Sequence, residues 1–211
     1  MALTIEELHR GIRYWWDEKP EWPRDFHNSY YQTLPPADGV FDSQWWDRFY
    51  PILREWVATR PHSRAALTTE ARARFAALQQ TWSDVIAKHV NDDIADVEWR
   101  EIAAFPELVS QIKRLKYPSP VFTAKFCALL VPRIFPITDN EAVQNRYTTY
   151  EECYKRARGE WLETDANVRN DLAELLRREI GAPFPGFPMK CKLIELCRIG
   201  RVQQAGSERD R

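Results

Sequence analysis

The chain has 211 residues, 44% of them apolar and 29% charged, with a formal net charge of −1. That composition excludes an intrinsically disordered chain, and the charge balance excludes a protein that is basic throughout, so any nucleic-acid contact has to be a local patch. No apolar run approaches the roughly 18 residues that mark a membrane span, and Glu6 and Glu7 stand where a leader would be apolar, so a cytoplasmic chain with no membrane partner is expected.

Thr4 and Glu7 form a capping-box pattern that opens a helix through Trp16. Residues 17–42 are an irregular segment punctuated by Pro20, Pro23, Pro35, Pro36 and Gly39. A loop of that length inside a compact chain is either functional or packed as a belt. Ser43 caps a helix over QWWDRFYPILREWV, and Pro51 is expected to kink it or to end a short first turn. Thr68 or Thr69 opens a regular helix to about Val90, with Phe75, Leu78, Trp82 and Ile86 at helical spacing. A short helix covers roughly 93–104, and Pro106 fits the first turn of another that ends near Lys116. Ser119 and Pro120 begin the helix that carries Lys125.

Asp139 or Asn140 then caps a short helix, Thr148 or Thr149 caps one through about Leu162, and Asp165 opens one through Ile180 that stops at Gly181. A last helix, MKCKLIELCRI, ends at Gly200, and residues 201–211 read as a disordered tail. SPVF and RIFPI lean toward β structure, but proline breaks both. The expected fold class is all-α with about nine helices. They form one compact domain over 1–200, or two fused lobes over 1–104 and 105–200, with the N-terminal and C-terminal parts packed together.

Motifs for other chemistries are missing. There is no HExxH, GxSxG, P-loop or EF-hand loop. Cys127, Cys153, Cys191 and Cys197 have no CxxC spacing, which points to small buried thiols and away from zinc. Asp92, Asp93, Asp96 and Glu98 lack the spacing of a calcium loop and read as a solvated helix start. No cofactor or metal is expected.

Charge is unevenly placed in one region. Residues 108–138 contain no Asp or Glu but hold Lys113, Arg114, Lys116, Lys125 and Arg133. Such a run lines an anion-binding face, or else is a solvated helix end followed by a buried helix that excludes acids. Lys125 stands among Val121, Phe122, Cys127, Ala128, Leu129 and Leu130, so it is either a snorkelling surface residue or a desolvated amine. Asp139 follows FPIT at a helix start, where capping alone accounts for it.

A loop, a helix bearing lysine, and Pro-x-x-Asp at the next helix start together resemble the helix-hairpin-helix DNA glycosylase superfamily, especially its 8-oxoguanine-glycosylase-like branch. RLKYPSPVFTAK corresponds to the hairpin, giving a helix-hairpin-helix-like element near 107–131; PITD corresponds to the aspartate segment, and KCKLIELCRIG to a closing helix. The segment departs from the family's usual Leu-Pro-Gly-Val-Gly hairpin in having no glycine between Lys113 and Lys125.

The resemblance implies excision of a modified or damaged base from DNA by cleavage of its N-glycosidic bond, in repair or in defence against phage DNA. Asp139 would stabilise the positive sugar, and Lys125 would attack the sugar carbon or hold phosphate. Lys113, Arg114, Lys116, Arg133 and Asn140 would hold the DNA backbone. The implied partner is duplex DNA with a flipped base, bound by a monomer. The aromatic N-terminal segment supplies candidate pocket walls in Trp15, Trp16, Trp22, Phe26, Tyr30, Tyr31, Trp45 and Trp46, with His27 for base-edge contacts. The alternatives are that these aromatics are core and that the chain is a non-enzymatic helical module with a Trp-rich binding surface.

Overall fold

The computed structural model describes residues 1–18, 31, 38–114, 120–138, 149–181 and 183–207. The described residues form ten α-helices and no strand, as the dense capping signals and proline-broken β runs predict. They are α1 (Ile5–Glu18), α2 (Ser43–Glu55), α3 (Arg64–Arg72), α4 (Phe75–Thr81), α5 (Trp99–Ile102), α6 (Ala104–Ser110), α7 (Val121–Leu130), α8 (Tyr150–Glu163), α9 (Ala166–Ile180) and α10 (Met189–Ser207). Buried apolar residues from Leu3 to Cys197 make one continuous cluster.

Several expected caps are in place. Thr149 and Glu152 form a reciprocal capping box on α8, Asp165 accepts from the Asn167 amide on α9, and Gly181 has φ of 78° after α9. Other boundaries differ from expectation. Asp42, not Ser43, caps α2 by accepting from the Trp45 amide at 2.7 Å, and α2 runs through Pro51 to Glu55. The expected helix from Thr68 or Thr69 to Val90 is several pieces. Its true cap is Ser63, and it breaks at Arg74, whose guanidinium takes the Glu70 carbonyl and carboxylate at 2.7 Å each.

Beyond α4 the chain widens into a π turn over Trp82–Ile86 and tightens to a 3₁₀ turn over Ala87–His89. Leu78, Trp82 and Ile86 recur every fourth residue, slightly longer than the α period, and the wider turn keeps all three facing the core. The C-terminal helix continues past Gly200 to Ser207, into the stretch expected to be disordered.

The chain ends do pack together, along α1 and α10. Two glycines permit it. A Cβ on Gly11 would lie 1.9 Å from the Leu196 carbonyl oxygen, and one on Gly200 would lie 1.9 Å from that of Glu7. Beside this crossing lies a charge network centred on buried Glu160. Arg201 donates to Glu7 at 2.6 Å and to Glu160 at 2.9 Å, Arg198 donates to Glu160 at 2.8 Å, and Arg156 reaches Glu160 at 3.1 Å. Burial alone would raise the Glu160 carboxyl, but Arg198 and then Arg201 and Arg156 hold it below the usual carboxylate range.

α7 sits at the centre. From Phe122 to Leu130 every residue of it is buried, so the helix has no solvent face. Phe126 meets Phe49 at 5.0 Å and Trp45 at 6.0 Å, joining α7 to α2. α6 packs beside α7, so the two flank the expected hairpin segment as a helix pair.

Candidate functional site

The site begins with α7, because a wholly buried helix holding one charged residue has to give that charge a partner. Lys125 is 8% exposed, and its Nζ donates to the Trp56 carbonyl at 2.9 Å. It is therefore a desolvated amine and not a snorkelling one. Phe122, one turn earlier on the same face, lies under a second amine. The Lys113 Nζ is 5.5 Å from that ring and donates to the Ala58 carbonyl at 2.6 Å. Lys113 follows α6, anchored through the buried Ile112. Two lysines from the two arms of the helix pair thus converge on one short turn, Trp56–Ala58.

Local chemistry explains why this turn accepts cations. It closes the C-terminus of α2, where carbonyls lack helical partners and the dipole favours positive charge. The Val57 amide bonds the Arg54 carbonyl at 2.9 Å and the Ala58 amide bonds the Leu53 carbonyl at 2.9 Å, the paired bonds of a Schellman ending. The residue at the turn's left-handed position is usually glycine. Here it is Val57, with φ of 56°, the sole non-glycine residue of positive φ among those described. A β-branched side chain there costs about 1–2 kcal/mol. It is also 51% exposed, so no burial offsets that cost.

Burial, and then the nearby charge of Lys125, lower the Lys113 amine to about 8. An amine at that value is partly neutral near physiological pH, the condition for nucleophilic or acid–base work. Arg54, Arg60 and Arg114 are exposed around the turn, and His62 Nε2 lies 3.2 Å from the Arg114 carbonyl. Thr138, the residue before Asp139, is fully buried, and its hydroxyl oxygen has no hydrogen-bond partner among the described residues.

The other predicted site residues are placed as follows. Asp139, Asn140, Lys116, Tyr30 and His27, together with Trp22 and Phe26, lie outside the described residues. Arg133 does not join Lys113 and Lys125. It forms two 3.2 Å bonds to Asp93, which also meets Lys190 at 3.1 Å, so its charge is neutralised internally. Burial opposes ionisation of Asp93, but Arg133 and Lys190 keep its carboxyl below the usual value.

Trp45 and Trp46 are core side chains, 4% and 0% exposed, and the Trp46 indole donates to the Thr68 hydroxyl at 2.9 Å. Tyr31 is buried edge-on to Phe187, with the Lys192 ammonium 5.5 Å from its ring centre. Burial, then Glu195 and Cys191, push its phenol up. Trp15 and Trp16 are half-buried against the core near the end of α1. Their surfaces are already packed, so Trp45 and Trp46 serve the core and not an open base pocket.

The four cysteines are buried and free of disulfides. Among the described residues, no cluster of His, Cys, Asp and Glu is suited to a metal ion, and no helix is long and apolar enough to cross a membrane. Sequence reasoning missed Val57. Its signal was a helix ending, REWVATRP, with no glycine where a helix stop expects one. It also missed the charged row on α10, buried Lys192, Glu195 and Arg198 with half-buried Arg201, whose three-residue spacing was readable. No protein-family model, curated protein or solved structure matches the chain.

Proposed function

We propose that the chain is a DNA glycosylase-like enzyme that binds duplex DNA, takes one modified or damaged base out of the stack, and breaks its N-glycosidic bond. The observation that carries this reading is the convergence of Lys113 and Lys125, one from each arm of the α6–α7 pair, on the end of α2. Among the described residues, the polar partner of Lys113 is a backbone carbonyl, not an acid. From the acid-free run 108–138, half-buried Lys113 and exposed Arg114 support a cationic surface suited to a phosphate backbone. The resemblance of this segment to helix-hairpin-helix glycosylases supports the same assignment.

In this mechanism Asp139 stabilises the positive charge that develops on the sugar as the base leaves with the bonding electron pair. One of the two lysine amines then has a role at C1′. As a nucleophile, the neutral amine forms a C–N bond to C1′ while the bond to the base breaks; the nitrogen then loses a proton, the C1′–O4′ bond opens with O4′ taking a proton, and a covalent Schiff base results. As a cation, it holds phosphate and leaves the attack to water. Lys113, lowered to about 8, has a neutral fraction available for attack, whereas Lys125 has the position implied by the resemblance.

The test is incubation with duplexes carrying 8-oxoguanine, uracil, alkylated purines or enlarged pyrimidines, followed by detection of free base and abasic sites. Base release is expected from one of them, lost in Asp139→Asn with duplex binding retained. Borohydride trapping with Lys113→Gln and Lys125→Gln identifies the amine. Absence of both base release and salt-dependent duplex binding overturns the reading and leaves a non-enzymatic helical module.

A further inference from the structure

We propose that Lys113 is a reversible carbon dioxide site, at which the side-chain amine becomes a carbamate and its charge changes from positive to negative. The inference goes beyond the glycosylase reading and does not depend on it.

The lysines of the chain divide by what holds them. Lys155, Lys190 and Lys192 each meet a carboxylate, that of Glu151 at 2.6 Å, Asp93 at 3.1 Å and Glu195 at 2.6 Å, which keeps the ammonium form. Lys113 meets no carboxylate among the described residues. Its Nζ donates to the Ala58 carbonyl at 2.6 Å, an acceptor that an ammonium, a neutral amine or a carbamate N–H can satisfy. A second cation is fixed on the same turn, where Lys125 donates to the Trp56 carbonyl at 2.9 Å. Two ammonium groups held by carbonyls two residues apart repel one another, and half-burial of Lys113 weakens the screening between them. The Phe122 ring, 5.5 Å from the Lys113 Nζ, favours the cation. Burial and Lys125 outweigh it, and the amine falls to about 8. At pH 7.5 about a quarter of it is neutral, against about one part in a thousand for an ordinary lysine.

Carbon dioxide reacts with the neutral amine alone. The Nζ lone pair attacks the carbon, a C–N bond forms, one C=O π pair moves onto oxygen, and the nitrogen releases a proton to water. No oxidant or reductant is needed. The carbamate keeps one N–H for the Ala58 carbonyl, and its negative charge turns the repulsion from Lys125 into attraction. Exposed Arg54, Arg60 and Arg114 surround the turn and add to that attraction, against one exposed acid on it, Glu55. Because Lys113 is only half-buried, dissolved gas reaches it. The result is a switch from cation to anion on a cationic face, set by carbon dioxide pressure.

The experiment equilibrates the full chain, as wild type, Lys113→Arg and Lys113→Gln, with carbon-13 bicarbonate at that pH and reads carbamate by NMR. Triethyloxonium then esterifies the carbamate, and peptide mass spectrometry places the ethyl group. Urea melts establish that each variant is folded. Wild type is expected to show a carbamate resonance that disappears when carbon dioxide is removed, and an ethyl carbamate on Lys113. Both variants are expected to lose that resonance and to keep only the background of the Met1 amine, which pairs with Glu163. Exposed Lys88 is the control within the wild-type chain, and it should carry at least about tenfold less label than Lys113. Lys113 labelled no more than Lys88 overturns the inference, whatever the variants do. A wild-type resonance that persists unchanged in folded Lys113→Arg overturns it as well.

Discussion

Gly200→Ala is the sharpest test of how the chain ends are joined. Alanine is the better helix former, by up to about 1 kcal/mol, so an unhindered helix would gain from the change. At position 200 the added Cβ would lie 1.9 Å from the Glu7 carbonyl oxygen and 2.8 Å from the Gly11 amide nitrogen, both backbone atoms that cannot rotate away. Ordinary contact begins near 3.4 Å, so α1 and α10 must part by about 1.5 Å. That shift carries the 2.6 Å bond from Arg201 to Glu7 out of hydrogen-bonding range. Overpacking costs about 1–3 kcal/mol and a lost charged hydrogen bond about 1.5–3, against the propensity gain, for a net loss of about 2–4 kcal/mol.

Urea unfolding followed by tryptophan fluorescence reads this out. At a slope of about 2 kcal/mol per molar, the midpoint should fall by about 1–2 M. Gly159→Ala on α8 is the control, because nothing lies within 4 Å of its added Cβ. It should raise the midpoint by about 0.4 M. A Gly200→Ala protein as stable as wild type, with Gly159→Ala giving its expected gain, would refute the close crossing of α1 and α10.

Two further expectations concern charge. Glu160 has its folded value lowered, so its stabilisation is complete above about pH 4.3, the unfolded glutamate value, and is lost as pH falls through the lower folded value. Glu160→Gln should therefore flatten the fall in stability below pH 5 in acid titrations. It should also cost about 3–5 kcal/mol at neutral pH by removing the carboxylate that pairs with buried Arg198, while Arg201 keeps Glu7. Lys113 titrates at about 8 when folded, below the ordinary lysine value, so its burial is unfavourable at low pH and is relieved as pH rises past 8. Phosphate prefers the charged form. The salt slope of duplex binding should drop by about 0.7 between pH 7 and pH 9 in wild type, as about 0.8 of one charge is lost, and stay constant in Lys113→Gln, measured by anisotropy.

Much of the fold was legible locally. Thr149 with Glu152, Asp165, and Gly181 each carry their helix boundary in their own side chain or backbone freedom, because capping is satisfied within one turn. Elements fixed by distant contacts were misread. The break at Arg74 and the π turn at Trp82 answer to packing and to a carbonyl captured by a side chain, which apolar spacing does not encode. Arg133 reads as a free cation in sequence, yet Asp93, forty residues away, pairs with it. Trp45 and Trp46 were candidates for pocket walls although most of these aromatics read as core, and both are core.

By itself, the sequence determined that the chain is helical, that its thiols are plain, and that residues 108–138 carry cations without acids. These follow from composition and short-range spacing. Tertiary structure alone decided that Lys113 and Lys125 meet at the end of α2, that a strained valine stands between the carbonyls they hold, and that α1 and α10 touch through two glycines. The reason is physical. A desolvated amine must find an acceptor, and which acceptor it finds depends on how whole helices pack and not on any neighbour in the chain.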